Sequence, residues 1–145
     1  MQLPWYVAGL GAALAWGIHY PLVDHALKKV SLISVLLLTA LPIIVVALFS
    51  WRTIAADYGV WRAMDPGTRG QILAPALTSL AGSVLLFLSI SGKNATLASL
   101  IEISYPVFVA LFAFALFREV HLNASVLVGG ALVFTGVAVI IMNNP

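Results

Sequence analysis

The chain has 145 residues, 62% of them hydrophobic and 8% charged, with a formal net charge of +2 and no cysteine. Soluble domains carry about 25% charged residues, so this composition cannot clothe a water-facing surface, and lipid is the solvent that it fits. The missing cysteines exclude disulfides and thiolate metal sites, and the small net charge gives no reason to expect nucleic acid.

A membrane-spanning helix needs roughly 20 mostly apolar residues. Five segments qualify, at about 3–27, 30–51, 70–91, 95–117 and 122–142. They predict an all-α integral membrane protein, a five-helix transmembrane bundle forming one domain over residues 1–145. No basic stretch precedes the first span, which is therefore read as a helix and not as a cleaved signal peptide. The first span stops at Lys28-Lys29 and the second at Arg52. Between the second and third lies the polar stretch RTIAADYGVWRAMDPGTR, residues 52–69, which reads as an interfacial connector with a turn signal at Asp65-Pro66-Gly67. Trp51, Tyr58 and Trp61 suit a belt at headgroup level around it. The fourth span contains the acid Glu102 and ends at Arg118-Glu119. The fifth is free of charge and carries a stripe of Ser125, Gly129, Leu132 and Gly136, small enough in part to admit a second helix backbone, within one bundle or across a dimer.

Five spans put the ends of the bundle on opposite sides. One side carries Arg52, Arg62, Arg69 and Arg118, the other Lys28, Lys29 and Lys93. So even a balance sets almost no orientation and leaves room for insertion both ways round.

Several stretches resemble the EamA-type domain of the drug/metabolite transporter superfamily. They are Trp16-Gly17 in the first span, YPVFVALFAFALFREVH around Pro106 and Glu119, and the closing GGALVFTGV of residues 129–137. The ordered motifs cover nearly the whole chain. The resemblance implies a five-helix module of a bacterial or archaeal cytoplasmic-membrane transporter that exports or imports a small-molecule substrate and is not an enzyme. Most relatives of this kind fuse two inverted modules into ten helices. One module here implies pairing, as an antiparallel homodimer or with a sister subunit.

No nucleophile elbow, phosphate-cradling glycine loop or metal-ligand cluster is present, and no cofactor is expected. Asn94-Ala95-Thr96 and Asn123-Ala124-Ser125 match the glycosylation sequon at predicted membrane edges. The candidate chemistry is polar and intramembrane. Trp16, Tyr20 and Asp24 follow one another at helical spacing and share a face with His19; Glu102, Tyr105 and Pro106 form a similar stripe on the fourth span. Asp24 also has Lys28 within reach as a local ion-pair partner. Pro21 and Pro106 each remove a backbone donor, from the Gly17 and Glu102 carbonyls, and interrupted helices often line transporter sites. His19 lies nine residues inside Lys28 and Glu102 nine inside Lys93, so both sit about 13 Å from the same membrane edge. Thr39 and Ser83 fall in that layer too. A charged acid facing lipid costs roughly 2.5 kcal/mol or more, so Glu102 is the expected proton carrier, with His19, Tyr20, Trp16, Asp24 and Tyr105 as substrate-binding or coupling residues. The alternative is a non-transporting scaffold or accessory subunit in which Glu102 and His19 join helices.

Overall fold

The computed structural model describes residues 4–120 and 123–144. Leu3 and Leu122, the expected first residues of the first and fifth spans, lie outside them. Among the described residues seven helices follow in order: α1 (Trp5–Leu27), α2 (Leu32–Phe49), α3 (Trp51–Ala63), α4 (Pro66–Gly92), α5 (Ala95–Glu102), α6 (Tyr105–Phe117) and α7 (Ala124–Asn143). The described residues contain no strand. Five stretches of the described residues are long and apolar enough to cross a membrane: α1, α2, α4, α7 and the continuous run Ala95–Phe117 made of α5 and α6. The expected five-span, all-α class holds.

Helices are the only open-ended way to satisfy a backbone in hydrocarbon, and the side chains confirm which solvent they meet. Phe49 is 87% exposed and Met142 81%, values that water would penalise and acyl chains would not. The chain divides into two compact units, one of residues 1–21 with 92–145 and the other of residues 22–91. In the first, Ala95, Ala98 and Val137 are buried. There α6 meets α7 closely: a Cβ built on Gly130 would come within 3.3 Å of Val107 Cγ2, and Phe108 meets Phe134 edge-on at 5.9 Å. In the second unit the buried residues are Val23, Val35, Phe87 and Ile90.

Two features differ from the sequence reading. The connector at 52–69 is largely helical. α3 begins one residue after α2's C-cap Ser50, and α4 starts earlier than expected, at Pro66, because Asp65 caps it by accepting from Thr68 N at 3.1 Å. The fourth span is two helices. At residues 103–104 the backbone ladder tightens, with Ser104 N donating to Ile101 O (3.2 Å) and Val107 N to Ser104 O (3.1 Å). Both sequon asparagines prove to be helix caps: Asn94 accepts from Leu97 N and Asn123 from Val126 N, each at 2.9 Å.

Candidate functional site

The site grows from spacing on α1. Residues three and four apart on a helix are neighbours, and Trp16 accordingly meets His19 edge-on at 5.1 Å and Tyr20 at 5.6 Å between ring centroids. His19 and Tyr20 are partly buried, while Trp16 stays 52% exposed. Within the same unit, α5 ends at Glu102. Tyr20 Oη donates to Glu102 Oε2 at 2.6 Å, joining residues 82 apart in sequence. That length is the one expected of a hydroxyl on a carboxylate.

The helix interruption beside Glu102 has a local contribution. Pro106 has no N–H to offer the Glu102 carbonyl. Ser104 adds a competing bond, its hydroxyl donating to Ile101 O at 2.9 Å. α6 restarts with Pro106 in its first turn, where a missing donor costs nothing. Tyr105, on the far side of the break, is 59% exposed. Pro106 itself lines an apolar cleft of about 430 Å³ between α6 and α7, with Val107, Gly130 and Phe134 among its walls.

Other expected site residues sit elsewhere. Asp24, in the second unit, makes a local ion pair with Lys28 at 3.0 Å. Thr39, also in that unit, donates to Leu36 O of its own helix at 2.9 Å. At Pro21 α1 stays helical; the proline removes one bond there without breaking the helix, because its neighbours keep helical backbone. Gly129 and Gly136 are exposed, with open space where a side chain would begin. The hydrogen-bonded partner of Glu102 is thus Tyr20, which the sequence placed beside Trp16, and not the depth-matched His19.

Chemically, the constellation is a carboxyl group with a phenol donor and an aromatic wall on one side. It can bind a polar or cationic group and exchange a proton. Among the described residues no three His, Asp or Glu side chains group as metal ligands do.

No curated protein and no solved structure matches the chain. The model of the EamA-like transporter family matches residues 3–142, nearly the full length. Five apolar spans, an acid held inside one of them and this match give one conclusion: the chain belongs to the EamA-like transporter family.

Proposed function

We propose that this chain is one half of a secondary transporter of the cytoplasmic membrane of a bacterium or archaeon. It pairs with a second five-helix module, a second copy in antiparallel orientation or a sister subunit, and moves a small metabolite or amphipathic compound with Glu102 as the proton-exchanging group. The observation that carries this reading is the Tyr20–Glu102 hydrogen bond at an interrupted membrane span. A carboxyl group inside a membrane is costly unless it works or is paired, and broken helices offer backbone carbonyls to a passing ligand. Trp16, His19 and Tyr105 supply aromatic surface next to it, and Pro106 keeps the span interrupted. Pairing draws on the exposed Gly129 and Gly136, where another backbone could approach.

The same hydrogen bond favours a second reading, in which Tyr20 and Glu102 only tie α1 to α5 in a non-transporting scaffold. Proteoliposomes separate the two. With an imposed pH gradient, wild-type protein accumulates an amphipathic fluorescent dye, and Glu102→Gln, which keeps an acceptor for Tyr20, abolishes accumulation while melting and assembling like wild type. Full gradient-driven uptake by Glu102→Gln removes the acid from the mechanism. Loss of assembly, with no uptake by the wild type, selects the scaffold.

A further inference from the structure

The second unit contains a feature that transport through Glu102 does not use. α2 leaves the apolar run at Phe49, and α3 starts at Trp51 after the single residue Ser50. α3 is not among the five spans, and Arg52, Thr53, Asp57 and Arg62 keep it out of hydrocarbon. It therefore lies at headgroup level, beside the end of a span. Its apolar residues Trp51, Ile54, Tyr58 and Trp61 recur at intervals of three and four and so form one face. That face and the end of α2 border an open apolar elbow of about 530 Å³, with Leu48, Trp51, Ile54 and Tyr58 among its walls.

Guanidiniums stand over two of the aromatic rings that wall this elbow. Arg52 lies over the Trp51 ring at 5.8 Å and Arg62 over Tyr58 at 6.0 Å. Tyr58 in turn stacks on Trp61 at 5.8 Å, and Arg69 covers Trp61 at 5.5 Å. Among the described residues neither Arg52 nor Arg62 joins an ion pair. Asp57 is five residues from each, about 140° round the helix, and so sits on another flank. Arg69 differs, because its Nε and Nη2 donate to Met64 O and Arg62 O. Two cations without acid partners, flanking an aromatic trough at the membrane surface, match an anionic lipid in both halves.

We propose that the α2–α3 elbow binds anionic phospholipid, acyl chains lying along Trp51, Ile54 and Tyr58 and headgroup phosphates meeting Arg52 and Arg62. The two arginines are ten residues apart, about 15 Å along the helix, so they engage two neighbouring headgroups. A membrane leaflet supplies that spacing, and a single free phosphate does not.

The test is thermal unfolding of the purified full chain in detergent, titrated with phosphatidylglycerol or with phosphatidylcholine of the same acyl chains. Phosphatidylglycerol raises the unfolding temperature by more than phosphatidylcholine does. Arg52→Gln combined with Arg62→Gln weakens the apparent phosphatidylglycerol affinity roughly 25-fold, about five-fold for each arginine, and leaves the phosphatidylcholine response in place. Equal responses to the two lipids in the wild type, an unchanged response in the double variant, or the same shift from inorganic phosphate alone would each overturn the proposal. Should the double variant fail to fold, quenching by bromine-labelled acyl chains decides. The Trp51 signal, taken as wild type minus Trp51→Phe, is quenched more by phosphatidylglycerol than by phosphatidylcholine, and equal quenching refutes the site.

Discussion

Pro42 in α2 and Pro106 in the fourth span lie in similar surroundings with different outcomes. Each removes one backbone donor, and each follows within three residues of a hydroxyl that bonds back to a carbonyl three residues earlier, Thr39 to Leu36 O and Ser104 to Ile101 O. α2 nevertheless runs unbroken, whereas the fourth span stops at Glu102 and restarts at Tyr105. Proline with a back-bonding hydroxyl is therefore not enough to interrupt a membrane helix. What the fourth span adds is an acid at the break, tied by Tyr20 to another helix. That tie fixes Glu102 on one side of the interruption, while Gly130 lets Val107, on the other side, pack close to α7. The two halves are anchored separately, and the ladder between them gives way.

Pro106→Ala tests this most severely. It restores an N–H to the Glu102 carbonyl, and one such bond is worth about 1 kcal/mol net, enough to shift a joined-against-broken equilibrium about five-fold toward the continuous helix. If the interruption is a working part, dye uptake in proteoliposomes falls by about that factor while the melting temperature rises. Pro42→Ala, in a helix already continuous, leaves uptake unchanged. Equal effects from the two substitutions would erase the distinction between the spans.

A second test uses two glycines of α7. Gly130 faces Val107 so closely that even a methyl group requires the neighbour to yield, whereas Gly136 opens onto free space. Gly130→Leu should overpack the α6–α7 contact and cost about 1–3 kcal/mol of stability, read as a lower melting temperature in detergent. Gly136→Leu should leave that temperature alone. It weakens association in analytical ultracentrifugation if the exposed stripe is the pairing seam, and an unchanged dimer excludes the seam.

Much of this was legible from residue order. Five apolar runs specified five spans because hydrocarbon leaves the backbone no other choice. The break at Pro106 was foreshadowed by its missing donor. The helical nature of residues 51–63 was not, since three arginines and two aspartates between residues 52 and 69 read as a polar connector. The three-and-four spacing of Trp51, Ile54, Tyr58 and Trp61 was the available signal. Depth counting brought Glu102 to the level of His19, but one residue is only about 1.5 Å of rise. Tyr20 lay at nearly the same depth with a longer reach, and which neighbour the acid meets depends on helix rotation, which composition does not encode. Asp24 carried an ambiguity that its spacing to Lys28 contained from the start, and the ion pair at 3.0 Å shows the local partner.

The smallest effect sharpens the comparison from a third proline. Pro66, like Pro106, stands in the first turn of a helix, but its helix has a side-chain cap and α6 has none. Asp65 is solvent-exposed, and hydrogen bonds from Thr68, first from its side chain and then from its backbone, hold the Asp65 carboxyl below its ordinary range. A carboxyl lowered in the folded state contributes stability above its unfolded pKa and loses that contribution as pH falls through the folded value. Acidification from neutral pH to about pH 3 should therefore cost wild-type protein slightly more melting temperature than Asp65→Asn, whose amide oxygen still caps α4 but does not titrate. The difference between the two proteins is the quantity to measure, because other carboxylates titrate equally in both. Parallel melting curves at every pH would mean that the charge of Asp65 adds nothing to the cap, and that its hydrogen bond alone is what α4 has and α6 lacks.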